Sequence, residues 1–161
     1  MSHAAGAASD AAIRAGSKSF ALASRLFDAR TRVLVWDLYA WCRHLDDVTD
    51  GQDLGHGQRA LDDRPARVAE LRRRSELALA GDGAGGPAFA GLARVVAATG
   101  LPAAFVRDHL AGFEMDATGH ACDSLDDTLA YCYHVAGVVG LMMAWIMGVR
   151  EAPTLLRGCD L

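Results

Sequence analysis

Apolar positions recur along this chain at helical spacing, and alternation of the kind that marks strands is almost absent. The longest such run ends near Asp50. In it Leu34, Val35, Leu38, Trp41, Cys42, Leu45 and Val48 cover most of the circumference of one helix, with Asp28 placed to cap its N-terminus. A short helix is predicted over Ala8 to Ala15, broken at Gly16, and another run reaches Phe27. Gly51 to Gly57 reads as a loop. Gln58 to Ala80 reads as an arginine-rich helix whose mixed charges suit a solvated face. After the glycine-rich connection Gly81 to Pro87, helices are predicted over Ala88 to Thr99 and Pro102 to Thr118, the second with Pro102 at its start. Leu125 to Val149 is the last, with Ser124 and Asp127 in an N-terminal capping pattern and Gly148 at the far end.

One narrow stripe of the long helix is polar. At about 100° per residue, Tyr39, Arg43, Asp46 and Asp50 fall within an arc of about 60°. Asp47 lies beside them. Carboxylates stacked on a mostly buried helix repel each other and lose hydration. The face must open to water, hold a proton, or bind a cation. Arg43 supplies part of a cation from one turn away. Mg²⁺ would supply more, because it takes oxygen ligands, is held by one or two carboxylates, and fills its shell with water and phosphate. A solvated acidic helix end is the alternative reading of the same residues.

Composition narrows the class. The 161 residues suffice for one domain with a sizeable core, and 52% hydrophobic against 22% charged is a globular balance. A net charge of −4 argues against general nucleic-acid binding. Cys42, Cys122, Cys132 and Cys159 form no C-x-x-C pair, which suggests neither a disulfide framework nor a zinc site and fits a reducing, cytoplasmic setting. The N-terminus lacks the layout of a secretory signal.

Two features of the last helix invite other readings. Leu129 to Val149 holds no Asp, Glu, Lys or Arg and is long enough to span a bilayer. Its polar Tyr131 to His134 end and its small-residue stripe Ala136, Gly140, Ala144 favour a buried central helix instead. Asp123 and Asp127 repeat the D-x-x-x-D spacing, but acids at a helix start are explained by the macrodipole.

Taken together, GSKSF at Gly16 to Phe20, LFD at Leu26 to Asp28, LYAWCRHLDDVTD at Leu38 to Asp50, GFEMD at Gly112 to Asp116 and DDTLAYCYHVAGVVGLMMAWIMGV at Asp126 to Val149 resemble the squalene and phytoene synthase family, in the family's order and over nearly the whole chain. The resemblance implies an all-α isoprenoid-synthase fold, a helical bundle around a central cavity. It implies Mg²⁺-dependent (or Mn²⁺-dependent) head-to-head condensation of two prenyl diphosphates through a cyclopropyl intermediate. In the phytoene branch that substrate is geranylgeranyl diphosphate, the intermediate prephytoene diphosphate, and the setting carotenoid biosynthesis. Asp46 and Asp50 would then hold the metal. Ser17, Lys18, Ser19, Phe20, Tyr39 and Arg43 would surround the diphosphate, and Tyr131, Val135, Val139, Gly140 and Met143 would border the lipid channel. Aspartates, Arg43 and Tyr39 form the catalytic set.

Gly16 stands where squalene-type relatives often have His, which leans toward the phytoene branch. Thr49 replaces the usual aliphatic residue inside D-D-x-x-D. The family's second acidic motif, N-x-x-R-D-x-x-x-D, would lie beyond the last helix. Residues 1–161 are therefore expected to be the N-terminal part of one synthase domain, incomplete at the C-terminus and needing a C-terminal half or partner chain. Location is expected to be cytoplasmic with peripheral membrane association. The competing functions are squalene or dehydrosqualene synthesis from farnesyl diphosphate, a non-catalytic binding or assembly factor, and a small helical membrane protein.

Overall fold

Asp28 opens the longest helix of the chain. In the computed structural model, which describes residues 17–51 and 63–159, its Oδ1 accepts from the backbone N–H groups of Arg30 and Thr31 at 2.9 and 3.0 Å, and its Oδ2 accepts from the Thr31 hydroxyl at 2.6 Å. These bonds satisfy donors that a helix start leaves orphaned. The helix, α2, runs Ala29–Asp50 and ends at Gly51, whose φ of 66° suits glycine. Before it come α1 (Lys18–Ala23), capped by Ser17, and a 3₁₀ turn (Ser24–Leu26).

No strand occurs among the described residues. The remaining elements are α3 (Arg64–Leu79), α4 (Pro87–Thr99), α5 (Ala103–Ala117), α6 (Leu125–Cys132), a π turn (Tyr133–Gly137), α7 (Val138–Ile146) and α8 (Ala152–Cys159). The helix predicted over Ala8 to Ala15, most of the Gly51 to Gly57 loop and the predicted start of the arginine-rich helix at Gln58 lie outside the described residues. Within them that helix starts at Arg64, where Asp63 accepts from the Ala66 N–H and Pro65 occupies the first turn. Ser124 caps α6 as its spacing predicts: its Oγ accepts from the Asp127 N–H at 3.1 Å and donates to Asp127 Oδ2 at 2.6 Å. Asp127 is thus a capping partner.

α2 is the axis of the packing. Its buried Val35, Leu38, Trp41 and Leu45 meet Leu71 and Ala78 of α3, Phe89, Leu92 and Val95 of α4, and Met142 and Ile146 of α7 in one core. Val106 and Leu110 bring α5 into the same cluster. Truncating Trp41, fully enclosed, would cost about 3–5 kcal/mol. Its indole N–H donates to the Ser75 hydroxyl at 3.2 Å, tying α2 to α3. The charged face of α3 is not wholly solvated: Arg72 pairs with Glu114, and Glu76 with Arg107, both on α5.

The last long helix departs from its prediction in three ways. Only its second half is buried, through Val138, Leu141, Met142 and Ile146, while Leu125 and Leu129 are exposed. A π turn interrupts it at Tyr133–Gly137. It stops at Ile146, and the short α8 folds back over it, so that a Cβ on Gly140 would lie 3.0 Å from the Gly158 carbonyl oxygen. Close packing of α8 is therefore what Gly140 permits here. The helix over Leu125–Ile146 still meets the length and hydropathy of a membrane span.

Candidate functional site

The last turns of α2 face α5 across a cleft of about 210 Å³. Asp46, Thr49 and Asp50 line it from α2, His109, Phe113 and Asp116 from α5, Tyr131 and Val135 from α6 and the π turn, and Arg64 from the start of α3. The α5 residues follow i, i+4, i+7 spacing and so form a second stripe opposite the first. A larger and more open groove, about 490 Å³, lies between His44 and Val48 of α2 and Arg67, Glu70 and Arg74 of α3. It contains none of the stripe's acids, and Glu70 is already bound by Arg73 and Arg74. The smaller cleft is the candidate site.

Arg43 serves Asp47 more than Asp46. Its Nε and Nη2 donate to Asp47 Oδ1 at 3.0 and 2.8 Å, whereas its Nη1 stands 3.7 Å from Asp46 Oδ2. Asp46 is consequently under-compensated. Burial, opposed by Arg43 and reinforced by Asp50 and Asp47, pushes its carboxyl up to about 6. An added cation would relieve that strain. The donor set suits a hard divalent ion: carboxylates one turn apart at the rim of a water-sized space, with room for ligands from elsewhere. No group of three His, Cys, Asp or Glu side chains among the described residues converges on one ion position. That leaves the aspartate pair, the number from which Mg²⁺ is usually held. His120 and Cys122, close in sequence, are both exposed.

Thr49 fits without disturbance, since its hydroxyl donates back to the carbonyls of Leu45 and Asp46 at 2.9 and 3.1 Å. Of the predicted site residues, the fold brings Asp46, Asp50, Tyr131 and Val135 to one cleft. Tyr131 donates its hydroxyl to Asp116 Oδ1 at 2.9 Å. The others stand apart from that cleft. Ser17 caps α1 through the Phe20 N–H at 3.3 Å, and Lys18 and Ser19 are exposed. The Phe20 ring stacks on Tyr39 with centroids 5.5 Å apart, and burial raises the Tyr39 hydroxyl. Val139 and Met143 are partly buried against the core.

Sequence alone does not single out His109, and Phe113 and Asp116 enter only within the GFEMD likeness. The stripe on α5 was the available signal, but nothing local says that it faces α2. His109 is 4% exposed. Its Nδ1 lies 3.1 Å from the His134 carbonyl, which accepts only, so Nδ1 carries the proton and Nε2 the lone pair. Burial lowers the imidazole pKa and keeps the ring neutral. The π turn holds its place on α5 by two more bonds: Tyr133 Oη donates to Asp108 Oδ2 at 2.7 Å, and His134 Nδ1 to the Asp108 carbonyl at 2.8 Å. Gly112 makes the approach possible, because a Cβ there would meet Val135 Cγ1 at 3.0 Å. π turns are frequent at functional sites, and this one sets Tyr131 and Val135 against the acids.

Comparison with known proteins agrees with this geometry. The squalene/phytoene synthase family profile matches residues 13–161. A 15-cis-phytoene synthase of Pantoea ananas is 55% identical over 148 residues, covering 91% of this chain and 48% of the relative. One from Paracoccus sp. is 49% identical over 150 residues, covering 93% and 49%. A crystal structure of a dehydrosqualene synthase in complex with ligand superposes with a TM-score of 0.83 at 28% identity, over 98% of this chain and 52% of the other. A squalene synthase from Alicyclobacillus acidocaldarius matches in fold, with a TM-score of 0.82 at 23% identity over 97% and 56%. The chain spans about half the length of the curated relatives it matches. With its helices, acidic stripe and cleft in the arrangement described, the chain belongs to the squalene/phytoene synthase family.

Proposed function

We propose that this chain carries the first acidic motif and part of the lipid channel of a phytoene synthase-type prenyltransferase, which condenses two geranylgeranyl diphosphates head to head. Members of the family work on isoprenyl diphosphates with divalent metal ions. The observation that carries the reading is the meeting of Asp46 and Asp50 with Phe113, Tyr131 and Val135 around one cleft. Losing diphosphate from an allylic carbon creates negative charge on oxygen and positive charge on carbon, and the two ends of such a cleft suit these separately. A divalent ion, Mg²⁺ or Mn²⁺, held by Asp46 and Asp50 would neutralise the departing diphosphate.

The chain's own residues supply the rest. Arg43, next to the pair, turns toward the diphosphate by giving up contact with Asp47. Ser17, Lys18 and Ser19 at the start of α1 offer hydroxyl and ammonium donors, and the Phe20–Tyr39 stack walls that side. Phe113, Tyr131 and Val135 keep water from the allylic cation, and aromatic faces stabilise it. By the likeness to the family, Val139, Gly140 and Met143 would border the lipid channel farther along α7. Exposed Leu22 and Leu26 near the N-terminus support peripheral contact with the cytoplasmic side of a membrane, into which such a substrate and product partition.

Product analysis tests this. Geranylgeranyl diphosphate and Mg²⁺ are incubated with the chain, alone and joined to the part of the Pantoea ananas relative that it does not cover. The joined protein is expected to release a forty-carbon hydrocarbon. A thirty-carbon product from farnesyl diphosphate would move the reading to squalene-type synthesis, and no product from either would leave a binding or assembly role.

A further inference from the structure

His109 Nε2 is a buried side-chain nitrogen without a hydrogen-bond partner among the described residues. Because Nδ1–H is committed to the His134 carbonyl, what Nε2 presents is a bare lone pair, and an acceptor left unmatched in a low-dielectric setting is unfavourable. No donor of the cleft that His109 lines is bonded to it: the exposed Arg64 carries guanidinium N–H groups there, but none makes a hydrogen bond to Nε2. Asp46, Asp50 and Asp116 accept when ionised. The Tyr131 hydroxyl proton goes to Asp116, and the Thr49 hydroxyl proton to backbone carbonyls. With none of these groups bonded to Nε2, a donor within whatever fills the space would match it. A volume of about 210 Å³ has room for roughly seven waters at about 30 Å³ each.

Water bound to a divalent cation is a strong donor, and Mg²⁺ keeps several of its waters. A direct bond from His109 to the ion is disfavoured, since no three ligating side chains among the described residues converge. We propose that His109 Nε2 accepts a hydrogen bond from a water in the hydration shell of the divalent ion held by Asp46 and Asp50, so that α5 positions the ion from the opposite wall. This rests on the reading of those aspartates as ion ligands. His109 is a positioning residue in this scheme, and the π turn is part of the device, because the His134 carbonyl fixes the tautomer.

The test uses the whole chain with Mn²⁺ as the probe, titrated by electron paramagnetic resonance. His109→Asn keeps an N–H near the Nδ1 position for the His134 carbonyl but removes Nε2; His109→Gln restores an acceptor at the Nε2 level. His109→Asn is expected to weaken Mn²⁺ binding about 10-fold with an unchanged melting temperature, and His109→Gln to recover most of it. Pulsed spectra of the Mn²⁺-loaded wild type are expected to show a weakly coupled nitrogen that His109→Asn abolishes. Wild-type affinity in His109→Asn, or a wild-type spectrum without that nitrogen, overturns the proposal; the spectrum decides even if the variant fails to fold. Asp46→Asn separates the two layers. If it loses Mn²⁺ while His109→Asn keeps it, only the role of His109 falls; if it binds like wild type, the ion site itself falls.

Discussion

Asp37 and Asp46 stand about two and a half turns apart on α2, which places them on opposite sides of it. Asp37 faces α4, is fully buried, and takes a bidentate grip from Arg94 at 2.7 and 2.9 Å. Gly91 lets α4 come close enough: a Cβ there would lie 3.3 Å from Asp37. Asp46 faces α5, keeps 43% of its side chain exposed, and has Arg43 only at 3.7 Å. The first seam is closed and its charge is matched. The second is open and its charge is not. A fold that seals one acid so thoroughly could have sealed the other, so the mismatch at Asp46 reads as a place kept for a ligand.

The contrast can be broken most forcefully at the closed seam. Arg94→Ala leaves Asp37 buried without its main cation and is expected to lower unfolding free energy by about 3–5 kcal/mol, measured by urea denaturation. A loss of about 1 kcal/mol or less, the scale of a surface pair, would mean that the seam is not closed in solution. Gly112→Ala at the open side should cost about 1–3 kcal/mol by overpacking against Val135. It should also weaken Mn²⁺ binding, by pushing the π turn away from the acids; a variant with wild-type stability and affinity would show a looser contact.

Asp46→Asn should behave in the opposite sense to Arg94→Ala. It is expected to keep the fold, with metal-free stability near neutral pH at or above that of the wild type because the half-buried charge is gone. Mn²⁺ binding should weaken by at least about 10-fold, or about 1.4 kcal/mol. Loss of fold instead of loss of ion would make Asp46 a second Asp37. The last effect is one of pH. Asp46 titrates at about 6 when folded against 3.8 ordinarily, so between these values the folded chain holds a proton that the unfolded chain has released. Metal-free stability should therefore fall as pH rises from about 4 to about 6. The wild type minus Asp46→Asn difference, from denaturation at several pH values, isolates it; a flat difference would place Asp46 in bulk water.

Most of the fold was legible because its signals are local. Asp28 and Ser124 cap where their spacing says, and four of the apolar positions named on α2, Val35, Leu38, Trp41 and Leu45, are buried. The acidic stripe was legible for the same reason, as was its likeness to the family. The π turn was not, because no residue type demands it; Tyr133 and His134 make it by bonding to Asp108 on another helix. Nor was α8, a short helix that gains its place by packing on α7 and the π turn, with Gly140 leaving room for it. Asp37 gave no warning either, as its partner lies far along the chain on α4.

By itself, then, the amino-acid order determined where helices begin, which faces are oily, and that two carboxylates share a stripe. These follow from contacts three or four residues apart. Which acid would be locked away and which left facing a cleft, and that a neutral imidazole would look in from across it, was decided by the docking of α4 and α5 on either side of α2. Burial and the distance to a distant guanidinium set the fate of a charge, and neither exists until the helices meet.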